Sequence, residues 1–178
     1  MLTDLQKRKL TRMFNAYDAD HNGYLEFADF EAQFNNLAQM HELAADSAEY
    51  NELQSAYRAA WDQISRFGDA DHDGRVLLDE WLAYGSDVVQ SPDMFENGLG
   101  AVAKLNGKLL DHDGDGLISL EEFATFRATL DTERAAIFKR FDLDGDGYIS
   151  ADELVELFRQ FFLSDDPNAL GNTWYGSV

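Results

Sequence analysis

The sequence predicts an all-α protein: four helix–loop–helix units in two pairs, about eight helices in one compact globule, with short bridges between the paired loops. Three observations predict it. Four twelve-residue stretches, 18–29, 69–80, 111–122 and 142–153, repeat one pattern, with Asp at positions 1 and 3, Asp or Asn at 5, Gly at 6 and an acid at 12. The segments flanking them carry apolar residues at helical spacing. Position 8 is apolar in every stretch, as Leu25, Val76, Ile118 and Ile149. Such residues can pair back to back in a short two-stranded bridge.

Taken in order, the first helix starts after Thr3, where Thr3 and Gln6 suit a capping box. Its apolar face is Leu10, Met13, Phe14 and Tyr17. The helix leaving the first loop carries Phe27, Phe30, Phe34 and Leu37. A long helix from about Ser47 to Phe67 lines up Leu53, Tyr57, Trp61 and Ile64. Trp81, Leu82 and Val88 follow the second loop. Ser91-Pro92-Asp93 reads as an N-cap with proline at the first helical position, where its missing N–H has no intrahelical partner to lose. Phe123, Phe126 and Leu130 face the core after the third loop. Asp131 caps the helix that carries Ile137, Phe138 and Phe141 into the fourth, and the last helix presents Leu154, Leu157, Phe158 and Phe161.

One helix departs from the rule. Ahead of loops one and four, apolar residues sit one, four and five positions before the loop. Ahead of loop three those places hold Leu110, Gly107 and Asn106, while Leu109, Leu105 and Val102 lie one step out of phase. An interior glycine costs about 1 kcal/mol against alanine in a helix. Two outcomes fit: a kink or bulge near Asn106-Gly107, or a close helix crossing that glycine permits. Loop spacing pairs one with two and three with four. This divides the chain into an N-terminal pair (1–90), a C-terminal pair (91–163) and a tail (164–178) packing on the core.

The repeated pattern is a cage for a hard divalent cation, which takes six to eight oxygens at about 2.3–2.6 Å. Side chains at 1, 3 and 5 and the carbonyl of 7 wrap one side, and the acid at 12 closes the other. Glycine at 6 supplies the sharp turn. Four such stretches in one chain identify EF-hand loops. Loop three offers Asp111, Asp113, Asp115, the Leu117 carbonyl and Glu122. Loop four offers Asp142, Asp144, Asp146, the Tyr148 carbonyl and Glu153. Ser119 and Ser150 at position 9 hold a water or touch the ion, and Gly114 and Gly145 ease the turn. Loop two offers Asp69, Asp71, Asp73, the Arg75 carbonyl and Glu80, with Leu77 at position 9 donating nothing. Loop one offers Asp18, Asp20, Asn22 and the Tyr24 carbonyl, but its twelfth residue is Asp29. Aspartate is one methylene shorter than glutamate and reaches a large ion less easily with both oxygens. Six-coordination then suits Mg²⁺, and Glu26 at position 9 is placed to compensate. The expectation is up to four Ca²⁺ ions, with loop one the weakest or most Mg²⁺-tolerant site. His21, His72 and His112 lie in loops and are expected in solvent, as is His41 on a helix.

The charge supports this reading. Of 34 acids, 19 fall inside the loops with one base, Arg75, giving −18 there and −2 elsewhere. No basic patch exists to neutralise phosphates, which excludes nucleic-acid binding. No stretch approaches the ~20 apolar residues of a membrane span, and the N-terminus lacks the apolar run of a signal peptide. With no cysteine, no disulfide forms. The expected setting is the cytoplasm, the expected state a monomer. An enzyme is not expected, because the carboxylates suited to acid–base work are committed to metal.

Three segments resemble the sarcoplasmic calcium-binding protein family, the group of calexcitin, calerythrin and the luciferin-binding proteins. They are Thr3-Asp4-Leu5-Gln6-Lys7-Arg8-Lys9-Leu10, the second loop with its flanks (Ala70 to Arg75, Asp79 to Leu82), and the tail Ser164 to Gly176. The resemblance implies two EF-hand pairs packed face to face. The family often loses one site, whereas all four loops here retain ligands. Rigid aromatics dominate the apolar positions, and of the four methionines only Met13 sits well on a core face. This favours a calcium buffer over a sensor, which exposes a Met-rich groove to a protein partner. A calcium-regulated pocket for an apolar small molecule, implied by the luciferin-binding relatives, is the further alternative.

Overall fold

Thr3 opens the first helix with the predicted box. Its hydroxyl accepts the Gln6 N–H at 3.3 Å, and Gln6 Oε1 accepts the Thr3 N–H at 3.0 Å. The computed structural model describes residues 1–126 and 131–174, without the side chains of 125–126 and 131–134. The positions expected for Phe126 and Leu130, the cap expected of Asp131 and the Tyr175-Gly176 end of the tail lie outside the described residues. Chain order is α1 (Asp4–Tyr17), β1 (Tyr24–Leu25), α2 (Phe27–Met40), α3 (Ala48–Gly68), β2 (Val76–Leu77), α4 (Leu78–Gln90), α5 (Pro92–Asn97) and α6 (Leu99–Leu110). Then come β3 (Leu117–Ile118), α7 (Leu120–Phe126), α8 (Asp131–Phe141), β4 (Ile149–Ser150), α9 (Ala151–Leu163) and a 3-10 turn, Leu170–Thr173.

The bridges form as the position-8 residues require. β1 pairs antiparallel with β2, Leu25 opposite Val76, and β3 with β4, Ile118 opposite Ile149. All four side chains are buried. Ser47 caps α3 through its hydroxyl, which accepts the Tyr50 N–H at 3.1 Å. Ser91 precedes Pro92 as predicted but makes no side-chain cap bond.

The described residues hold nine α-helices, one more than predicted, because the segment before loop three is split. The split is at Gly98 (φ −114°, ψ −109°), not at Asn106-Gly107, through which α6 runs unbroken. Of the two outcomes, close packing is the one realised. A Cβ on Gly107 would meet Leu154 and Ala151 of α9 at 3.3–3.4 Å. The buried positions of α6 are Leu99, Gly100, Val102, Ala103, Gly107 and Leu110, so the helix is in phase, with small residues at the contact.

Two clusters make the core. The larger runs from Leu10, Met13 and Phe14 through Trp61, Trp81 and Phe95 to Phe158, Phe161 and Phe162. The smaller holds Leu110, Ile118, Phe123, Phe138, Phe141, Ile149, Leu154 and Leu157. α9 therefore gives one face to each cluster, and Trp174 packs against both.

The last helix and the tail are locked to α1 by a buried lysine. Lys9 is fully buried and its Nζ donates to Gln160 O (3.0 Å), Ser164 O (2.6 Å) and Asn172 Oδ1 (3.1 Å). The two backbone carbonyls lie at the end of α9, where a cation also meets the negative pole of the helix. Gln6 adds a bond to Leu163 O at 2.7 Å. Gly171 lets the tail approach, since a Cβ there would run into the Leu157 carbonyl. Trp174 then stacks on Phe141, centroids 5.7 Å apart and planes 7° apart.

Replacing Lys9 by Met should destabilise the fold by about 3 kcal/mol, because buried acceptors lose their donor. Chemical denaturation reads the loss, and proteolysis within 164–174 should quicken. Burial pushes the Lys9 ammonium down to about 8, against the pull of the Asp165 carboxylate. An unfolded lysine keeps its proton to about 10.4. Between those values the unfolded chain binds more protons, so this group's contribution to stability rises with pH. K9M should lack that rise; an unaltered slope and a protected tail would contradict the assignment.

Candidate metal-binding loops

Each loop begins where a helix ends. The N–H of the first residue still bonds back into the helix, Asp18 to Phe14, Asp69 to Ser65, Asp111 to Gly107 and Asp142 to Phe138. Its carboxylate turns inward and gathers the loop's own N–H groups. Asp18 accepts from Asn22 and Gly23, Asp69 from Asp73 and Gly74, Asp111 from Gly114, Asp115 and Gly116, and Asp142 from Gly145, Asp146 and Gly147. The position-3 side chains of Asp20, Asp71, Asp113 and Asp144 each accept the N–H of position 5. The position-5 side chains of Asn22, Asp73, Asp115 and Asp146 each accept the N–H of position 7. This fixes the backbone at Tyr24, Arg75, Leu117 and Tyr148, whose carbonyls the sequence pattern assigns to the ion.

The turn needs left-handed backbone twice. Position 6 lies at φ +85° to +93° and is glycine throughout. Position 4 is also left-handed: glycine fills it in loops three and four (φ +76° and +77°), His21 and His72 in loops one and two (φ +58° and +60°).

The twelfth residue separates loop one from the others. Glu80, Glu122 and Glu153 span their loops. One oxygen accepts the N–H of position 9 (Leu77, Ser119, Ser150), and the other reaches the N–H of position 2 (Ala70, His112, Leu143), at 2.7–2.9 Å. Asp29 makes the first of these bonds, from Glu26 N–H at 2.8 Å. The N–H of position 2, Ala19, turns away and bonds Tyr17 O at 2.7 Å. The missing methylene thus has a visible consequence. In loop one the acid caps the exiting helix but does not tie it to the loop entrance.

Carboxylate oxygens converge to within 4.8 Å of one another in three loops: Asp69, Asp71 and Asp73; Asp111, Asp113 and Glu122; Asp142, Asp144 and Glu153. An all-oxygen donor set of this charge fits a hard divalent cation. In loop one, Asn22 Nδ2 donates to Asp20 Oδ2 at 3.0 Å. Burial pushes the Asp29 carboxyl up, and Asp20, Asp18 and Glu26 add to it against one backbone bond. Burial also pushes the Glu122 carboxyl up, but bonds from Ser119, His112 and Asp113 outweigh it and hold it below the usual range.

His21 and His72 are exposed, as expected. His41 is not a free surface residue. It caps the end of α2 half-buried, with its Nδ1 3.4 Å from His112 Nε2 of loop three. Sequence spacing carries no signal for this pair, whose members lie 71 residues apart.

Family models match the EF hand domain at residues 135–161, the EF hand at 108–126 and the EF-hand domain pair at 1–32. Calerythrin from Saccharopolyspora erythraea is 30% identical over 166 residues, covering 90% of this chain and 94% of its own. A Streptomyces coelicolor calcium-binding protein, solved as a basis for prokaryotic calcium-mediated regulation, is 25% identical with TM-score 0.75, covering 90% of this chain and 99% of that one. The sarcoplasmic calcium-binding protein of amphioxus shares the fold over 100% of both chains, at 22% identity and TM-score 0.77.

Gly147 tests the turn alone, since a Cβ there meets nothing within 4 Å. Gly147→Ala should cost about 1–2 kcal/mol by backbone strain, measured by thermal melting in chelator; an unchanged melting temperature would mean that the turn relaxes freely.

Proposed function

The chain belongs to the EF-hand calcium-binding family of calerythrin and the sarcoplasmic calcium-binding proteins, and from that premise we propose that it is a calcium buffer. As a member of a family of calcium-binding proteins it is not an enzyme. We assign Ca²⁺ to Asp69, Asp71, Asp73, the Arg75 carbonyl and Glu80; to Asp111, Asp113, Asp115, the Leu117 carbonyl and Glu122; and to Asp142, Asp144, Asp146, the Tyr148 carbonyl and Glu153. Asp18, Asp20, Asn22, the Tyr24 carbonyl and Asp29 form a fourth site with more tolerance for Mg²⁺. The short reach of Asp29 supports this, because a carboxylate that cannot span the loop favours the smaller ion. No helix among the described residues is long and apolar enough to cross a membrane. We take the protein to work as a monomer in the cytoplasm.

The observation that carries the buffer reading is the shared core. A sensor opens each helix pair to present a flexible groove. Here α9 lies in both clusters, and Phe95, Phe158 and Phe162 lock together at 5.8–6.5 Å between ring centroids. Opening one pair would break the packing of the other. Met13 is fully buried, while Met1 and Met40 stand exposed at unrelated places. A bound Ca²⁺ supplies the positive charge that offsets the repulsion among the loop carboxylates. The residues contribute acceptors that, in loops two, three and four, are tied to both flanking helices, so binding and folding are linked.

A second reading, an apolar ligand site, rests on one feature. Tyr17, Leu37, Tyr57, Val102, Phe158 and Trp174 help line a cleft of about 610 Å³, and Asn106 beside them holds a buried Oδ1 without a hydrogen-bond partner among the described residues. A ligand carrying an N–H or O–H donor would compete for the Asn106 side chain with the Tyr57 hydroxyl, which already bonds it.

Calcium titration of the chelator-stripped protein, followed by calorimetry and by fluorescence of an apolar dye, tests the buffer reading. Tight sites with falling dye signal, and a lower melting temperature in chelator, are expected. A dye signal that rises with Ca²⁺ would make the protein a sensor. Asp29→Glu should restore the bond to the Ala19 N–H and raise the Ca²⁺ over Mg²⁺ preference of loop one; an unchanged preference would remove the Mg²⁺ assignment.

A further inference from the structure

His41 and His112 belong neither to the oxygen cages nor to the core. The end of α2 fixes the first of them. Glu42 N–H donates to Gln39 O at 3.2 Å and Leu43 N–H to Ala38 O at 2.9 Å, with Glu42 left-handed at φ +50°. This double closure at a helix end is a Schellman motif with His41 as its cap residue. The second is fixed through its backbone: His112 N–H donates to Glu122 Oε1 at 2.8 Å. Two rings on independently held backbones, one in the first EF-hand pair and one in the third loop, thus face each other with Nδ1 and Nε2 3.4 Å apart.

That separation is informative. The rings are placed as donor and acceptor of one long hydrogen bond, with the roles set by tautomer and the centroids 5.6 Å apart, beyond the usual range, which ends near about 3.2 Å. A tetrahedral ion holding two imidazole nitrogens at about 2.0–2.1 Å sets them about 3.3–3.4 Å apart. A square arrangement at about 2.0 Å would need about 2.8–2.9 Å. The ligand chemistry separates this position from the calcium loops, since imidazole nitrogen suits Zn, Cu, Fe and Ni, and calcium takes oxygen. The surroundings favour a cation too. The C-terminal end of α2 presents the negative pole of a fourteen-residue helix. His112 also sits in a loop carrying Asp111, Asp113, Asp115, Glu121 and Glu122.

We propose that His41 and His112 form a metal site of a second class, for a late divalent transition ion of tetrahedral preference, Zn²⁺ first, with water completing its coordination. An ion there joins α2 to loop three and so staples the two EF-hand pairs together.

Zn²⁺ is titrated into the Ca²⁺-saturated protein at neutral pH, by calorimetry and thermal melting. The expected result is one Zn²⁺ per chain beyond the calcium, with a rise in melting temperature. Co²⁺ in its place should give the intense visible absorption of a tetrahedral centre. His41→Gln and His112→Gln should each abolish both effects while leaving helical content intact, and His41→Gln should also leave calcium uptake intact. His72→Gln, at an exposed histidine of another loop, should change nothing. His112 is exposed, so its variant remains informative even if that of the half-buried His41 weakens the fold. Zn²⁺ bound equally well by His112→Gln, or no Zn²⁺ bound by the unaltered protein, would overturn the proposal.

Discussion

The carboxylate at the twelfth position of each loop holds the most consequential bonds in the molecule. In loops two, three and four it caps the exiting helix through position 9 and reaches across to position 2. The angle between entering and exiting helices therefore depends on one side chain per loop. The bridges Leu25–Val76 and Ile118–Ile149 then couple the loops in pairs. Through α9, which faces both clusters, each pair is committed to the other. Loop one shows what a missing methylene changes: the helix stays capped, and the bond to the loop entrance goes to Tyr17 instead.

This geometry concentrates charge. Eighteen net negative charges lie in four short stretches, and the rest of the chain is nearly neutral. Every position-1 carboxylate accepts from loop N–H groups, which holds the loop in the shape of a cage. The N–H donors offset only part of the repulsion, and a divalent cation is the natural complement. The aromatic core and the Lys9 clasp tie α9 and the tail to the rest of the molecule.

Much of this was legible in the chain. Thr3 and Gln6 announce their capping box, Ser47 its helix, and the apolar position 8 the bridges, because these signals are local and governed by backbone hydrogen bonding. The short reach of Asp29 was legible for the same reason. The rest depends on tertiary contacts that no local pattern encodes. Gly107 reads as a weak point of a helix until Ala151 and Leu154 are found against it. Gly98, where the helix does divide, carries the same local cost. Lys9 carries no local sign of burial, since its acceptors, Gln160, Ser164 and Asn172, lie more than 150 residues away. His41 reads as solvated for the same reason.

We propose that all four loops are ion cages and that loop one differs from the other three through Asp29. The position-6 glycine N–H groups report each loop separately, because Gly23, Gly74, Gly116 and Gly147 donate to the position-1 carboxylates. An ion on those carboxylates polarises the bonds and should shift the amide resonances. We would follow these four signals by NMR during a Ca²⁺ titration in the presence of millimolar Mg²⁺. On this proposal Gly74, Gly116 and Gly147 respond to Ca²⁺ under these conditions, and Gly23 responds already to Mg²⁺. Four signals moving together with Ca²⁺ and none with Mg²⁺, or a Gly23 signal indifferent to both ions, would contradict it.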